Sequence, residues 1–120
     1  MQVHTFGPLV VVELDREGAM LAGEEDALKV IGETYGTGAD WVAIPATRLA
    51  REFFILSTQQ AGGFFQKLMN YNIKAAIIGD ISDHLAESKA LRDFVYECNT
   101  GRHIRFVATL EEFGDTLRAA

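Results

Sequence analysis

One cysteine, two prolines and no long apolar run: the 120-residue chain lacks most features that announce a specialised class. The lone Cys98 allows no internal disulfide, which excludes a disulfide-stapled scaffold and fits a reducing compartment. The N-terminus has no basic segment followed by an apolar stretch, so no signal peptide is expected. No apolar stretch reaches the roughly 20 residues of a membrane span. Basic charge is scarce as well, with 11 Lys and Arg against 17 Asp and Glu, a net charge of -6. No basic cluster offsets it, which excludes unpatterned nucleic-acid binding. The expectation is a soluble, cytoplasmic protein that binds neither nucleic acid nor membrane.

Motifs of several chemistries are missing too. There is no G-x-G-x-x-G and no G-K-[ST], so no phosphate loop of a familiar kind is expected. There is no G-x-S-x-G elbow. His4, His84 and His103 are scattered, with no His-x-x-x-His or Cys-x-x-Cys spacing, so no metal site and no cofactor is expected. Cys98 lies on the apolar stripe of a helix near its C-terminal end, where the dipole disfavours a thiolate. It reads as a core residue and not as a nucleophile.

What is present is ordinary globular composition, 48% apolar and 23% charged. The length suits one domain over residues 1–120 with a real core. Residues 3–6 and 9–14 read as strands around Gly7-Pro8, followed by a turn at Asp15-Arg16-Glu17-Gly18. Glu24-Glu25-Asp26 opens a helix whose inner face is predicted as Leu28, Ile31 and Tyr35. Gly36-Thr37-Gly38 stops it. Residues 41–44 are wholly apolar and suit a strand buried on both faces. Residues 75–78 and 104–107 read as further strands. Ser88 caps a helix with the stripe Leu91, Phe94, Val95 and Cys98. Thr109 and Glu112 form a capping box for a last helix facing inward through Leu110, Phe113 and Leu117. The order β-β-α-β-α-β-α-β-α implies an α/β fold with a mixed, largely parallel sheet and helices on at least one face.

The stretch "FFILSTQQAGGFFQKLMNY", residues 53–71, is the richest. Ser57 with Gln60 three residues on matches a capping box, so a helix is predicted from about Thr58 to about Tyr71. Its stripe is Ala61, Phe64, Phe65, Leu68 and Met69. Ser57 and Thr58 have two readings. They are a helix cap alone, or a cap that also serves as a phosphorylation switch, since amides and dipole at a helix start favour phosphate. Gly62 and Gly63 sit inside the helix, where each costs about 1 kcal/mol relative to Ala, so close packing or a smooth docking surface is expected. Adjacent aromatics diverge, so one of each pair, Phe53-Phe54 and Phe64-Phe65, is expected to be partly exposed. Asp80 directly follows a strand at the carboxyl edge of the sheet, with Asp83 and His84 nearby. That edge binds ligands in open α/β folds, although a solvated turn explains the same residues.

"FFILSTQQAGGFFQKLMNYNIKAAIIGDIS" and "ALRDFVYECNTGRHIRFVATLEE" resemble the bacterial domain of unknown function 4180 (DUF4180) family, over about residues 24 to 118. Its F-F-x-L-S-T run, I-I-G-D strand end and L-R-D-F-V-Y-E-C-N helix carry the likeness. The architecture resembles STAS domains, the module of sulfate transporters and anti-sigma-factor antagonists. That resemblance implies an interaction module, with a regulatory serine starting the helix after the central strand, here Ser57 or Thr58. The partner it implies is a protein, by analogy an anti-sigma-type kinase. The usual Asp-Ser-Ser-Gly run is replaced by Leu56-Ser57-Thr58-Gln59, and the segment from Ile44 to Ser57 is longer than the pattern.

Three functions follow as expectations. The first is a non-enzymatic STAS-like docking module using Phe53, Phe54, Gln59, Gly62, Gly63, Asp80, Asp83 and His84, switched at Ser57 or Thr58. The second is a small-ligand binder or small enzyme with Asp80, Ser57 and His84 converging in one pocket. The third is a homo-oligomer formed through exposed aromatics.

Overall fold

Gly7 takes a φ of 61°, a left-handed conformation that glycine adopts without steric cost, and turns the chain between β1 (Gln2–Phe6) and β2 (Leu9–Glu13). The computed structural model describes residues 1–119. After the hairpin come α1 (Glu24–Thr34), β3 (Trp41–Pro45), α2 (Gln60–Asn70), β4 (Lys74–Ile78), α3 (Ser82–Glu87), α4 (Lys89–Thr100), β5 (Ile104–Val107) and α5 (Leu110–Ala119). The five strands lie side by side in chain order. β1 is antiparallel to β2, and β2 through β5 are parallel, with Val12 beside Val42, Val42 beside Ala75 and Ala75 beside Ile104. The fold is therefore the mixed α/β sheet with an N-terminal strand pair that the residue pattern predicts.

Alternation along each strand builds two cores. Val42, Ile44, Ala75, Ile77 and Phe106 face α1, α2 and α4. Val11, Trp41, Ala43, Ala76 and Val107 face the opposite way and are covered by α5. There Phe113 meets Trp41 edge-on at 4.9 Å. All five residues of β3 are buried, as expected of a strand covered on both faces. Fully burying one such large side chain contributes roughly 1.5–3 kcal/mol.

Three expectations are corrected. The inner face of α1 is Ala27, Val30 and Thr34, with Leu28 exposed, Ile31 half-buried and Tyr35 exposed beyond the helix end. This smaller-residue face turns inward where α1 packs along α2, with a Cβ on Gly63 in ordinary contact, 3.8 Å, with the Glu24 Cβ. Both members of Phe53-Phe54 and of Phe64-Phe65 are buried, because Phe53 packs edge-on against the other three rings at 5.4–5.6 Å. Asp83 and His84, expected in a turn after β4, lie on the short helix α3.

Candidate functional site

β2, β3, β4 and β5 all run the same way, so Glu13, Pro45, Ile78 and Val107 end at one edge of the sheet. The segments leaving these ends enclose a cleft of about 640 Å³, within the usual range for small-molecule sites. Its apolar surface includes Pro45, Ala46, Leu49, Ile78 and Leu110. Gly79 shapes it, since with φ at 140° a Cβ there would lie 3.1 Å from the Ala46 Cβ. That close approach, in a backbone conformation side chains rarely adopt, is the reason for glycine at the end of β4.

Charge stands at two poles. At the end of β4, Asp80 lines the cleft and is exposed. Its Oδ1 accepts the Ser82 amide at 2.9 Å. Hydrogen bonds from the Ser82 hydroxyl and then its amide hold the Asp80 carboxyl below the usual range, so it is an anion at neutral pH. Glu13 at the end of β2 and Arg16 beyond it also line the cleft. Glu13 is joined to His4 Nε2 at 3.0 Å, whereas Arg16 makes no ion pair or side-chain hydrogen bond among the described residues.

The segment carrying Arg16 is anchored from below. Arg48 is only 7% exposed. Its Nε donates to the Ala19 carbonyl and its Nη1 to the Asp15 carbonyl, each at 2.9 Å. Gly18 lies against the guanidinium so closely that a Cβ would come within 2.8 Å of it. A buried guanidinium bonded to two carbonyls fixes the loop at the rim of the cleft.

The remaining wall is aromatic. His84, half-buried on α3, stacks on Phe54 with centroids 4.0 Å apart. A second cleft, of about 330 Å³, lies on the segment from Arg51 to Ser57 and the start of α4, and it too is lined by Phe54 and His84. Ser57 lines this second cleft and not the first. Asp80 and His84 both line the first cleft, while Ser57 does not converge with Asp80.

The Ser57–Gln60 capping box is not formed. Arg51–Phe54 and Leu56–Thr58 wind into two 3₁₀ turns, which carry the chain past Ser57 before α2 begins. The N-cap is Gln59, in a left-handed conformation with φ at 65° and no side-chain cap bond. The local hydroxyl contacts come from Thr58. Its Oγ1 lies 2.7 Å from the Glu52 and Ile55 carbonyls and accepts the Gln60 amide at 3.3 Å. Ser57, Thr58 and Gln59 are exposed, as are Gly62 and Asp83. Gly63 is half-buried beside α1, and Phe53 and Phe54 show almost no ring surface. The capping expectation does hold at Ser88, whose Oγ accepts the Leu91 amide at 3.0 Å, and at Thr109, whose Oγ1 accepts the Glu112 amide at 3.0 Å.

Sequence reasoning missed Arg16, Thr47 and Arg48. Arg16 and Thr47 reach the cleft through segments that carry no strand or helix pattern. Arg48 left a weak signal, a charged residue close after the apolar strand β3. No group of three or more His, Cys, Asp or Glu among the described residues is placed to hold a metal, and no described helix is long and apolar enough to cross a membrane.

These features define a class: an open α/β domain with a half-open cleft at the carboxyl edge of its parallel strands. A family model described as "Domain of unknown function (DUF4180)" matches residues 7–117, and the chain belongs to that family. The match takes in the β1–β2 turn and most of α5, so it spans both cores. Neither the curated proteins nor the solved structures contain a match.

Proposed function

We propose that the protein is a small-ligand-binding domain of STAS-like architecture, whose ligand occupies the cleft between Asp80 and Arg16. The observation that carries this reading is the position and volume of that cleft, about 640 Å³ at the carboxyl edge of four parallel strands. Fixed charge, a stacked aromatic wall and apolar surface are the usual equipment of a binding site. The test is a fragment screen followed by amide chemical shifts. Bound fragments should perturb Gly79, Asp80 and Ile81. Thr47→Trp, which fills the cleft from an exposed turn, should abolish binding without lowering the melting temperature. Fragments that bind elsewhere, or not at all, would defeat the reading.

A second reading is a protein-interaction module switched at Ser57, the role that STAS-like architecture implies. It is favoured by the exposure of Ser57 beside Arg51 in the smaller cleft. Ser57→Glu should then weaken capture of a partner kinase without changing stability.

A further inference from the structure

We infer that β1 is a docking edge for a second copy of this chain, the two chains pairing antiparallel about a twofold axis at His4. The two edges of the sheet differ. β5 forms one edge, and side chains cover it. His103 and Val107 turn their carbonyls to β4, where they accept the Ala75 and Gly79 amides. Alternation then points the backbone groups of Ile104 and Phe106 outward. Asn99 on α4 engages both groups of Phe106: its Oδ1 accepts the amide at 2.8 Å and its Nδ2 donates to the carbonyl at 3.3 Å. Arg105 Nη1 donates to the Ile104 carbonyl at 3.2 Å.

β1 forms the other edge, and it is bare. Val10, opposite Thr5, donates its amide to Asp40 Oδ2, and its carbonyl accepts the Asp40 amide, each at 2.8 Å. Val10 thus turns both groups toward β3, so Thr5 and Val3 turn theirs away from β2. None of these groups has a partner among the described residues, and both residues are exposed, Val3 at 54%. β1 pairs with β2 through five unbroken positions and contains no Pro, Lys, Arg, Asp or Glu. Bulges, prolines and charges are what normally keep strand edges apart.

Symmetry selects the occupant. Antiparallel pairing centred on His4 sets Val3 against the partner's Thr5, and Thr5 against the partner's Val3. Every open group on one chain then bonds its counterpart on the other. No carboxylate or ammonium of β1 is opposed, and each His4 at the axis is joined to its own Glu13 at 3.0 Å. A foreign peptide would be selected through side-chain pockets beside the edge, and no residue of β1 lines either cleft. The dimer leaves only two covered β5 edges, so assembly stops at two chains.

The experiment is sedimentation velocity on the full chain, diluted from about 1 mM, the upper end of weak association. The mass should fall from two chains to one on dilution. The Val3 and Thr5 amides should exchange with solvent more slowly at high concentration. Val3→Pro removes an outward amide that pairing with β2 does not use. It should weaken the dimer about tenfold or more, the loss expected for one hydrogen bond from each chain, and leave the melting temperature of the dilute monomer unchanged. Val3→Lys, which keeps the backbone amide and adds a charge to the edge, should weaken the dimer as well. A single chain at every concentration would overturn the inference. So would growth beyond two chains, or a dimer that both variants leave intact.

Discussion

The imidazole of His84 lies flat on the ring of Phe54, with planes within 11° and centroids 4.0 Å apart, and the pair belongs to the walls of both clefts. Removing either member has different consequences. Phe54→Ala empties a buried site and should cost about 3–5 kcal/mol. His84→Ala loses one stacking contact and should cost about 1 kcal/mol. A double-mutant cycle in urea should return a coupling of about 1 kcal/mol between them.

Ser57 makes no cap bond, so Ser57→Ala should change stability by less than about 0.5 kcal/mol. Thr58→Ala and Ser88→Ala should each cost about 1 kcal/mol, because their hydroxyls hold backbone groups. Urea midpoints of the three variants check the ranking. A loss at Ser57 equal to that at Ser88 would restore the capping box in solution.

Gly62 is exposed within α2, and a Cβ there would meet nothing within 4 Å. Gly62→Ala should therefore stabilise the protein by about 1 kcal/mol. Gly79→Ala should do the opposite, because of its φ of 140° and the contact with Ala46. Thermal unfolding of the two variants should move in opposite directions.

How much of this was legible in the residues varies with the physics involved. The α2 stripe was legible because Ala61, Phe64, Phe65 and Leu68 repeat at helical spacing and all are buried. The α1 face was not, because Leu28 outweighs Ala27 in any count of apolarity, while it is Ala27 that turns to the core. Asp80 was found through a rule about strand ends, which needs only the strand. Arg16 was passed over because it reaches the cleft from the segment after β2, and that this segment lies near the end of β4 is a relation created by strand order alone. Ser57 misled because the capping pattern is local, whereas Ser57 itself lies in a 3₁₀ turn that follows another anchored by the buried Phe53 and Phe54.

Arg48 should hold the rim loop by its two carbonyl bonds. Arg48→Met should cost about 2–3 kcal/mol by leaving the Asp15 and Ala19 carbonyls without that partner. Hydrogen exchange should quicken between residues 14 and 21, with α5 unaffected.

Burial pushes the Cys98 thiol up to about 11 from an ordinary value near 9, with the Glu97 charge adding to it. The native state then holds a proton that the unfolded chain gives up, so stability should fall as pH rises from about 9 to 11. The fall should be smaller in Cys98→Ala. Native protein at pH 8 should resist a thiol reagent that labels the unfolded chain at once.

The strands stand in space in the order in which they are made. A chain emerging from the ribosome can settle each strand beside the one before it, using contacts between neighbours in sequence. One surface must wait. Trp41, Ala43 and Ala76 are covered by Phe113, so the half-made sheet carries an apolar face until Leu110–Ala119 has been synthesised. In that interval the nascent protein is open to aggregation, and it is the arrival of α5 that closes it.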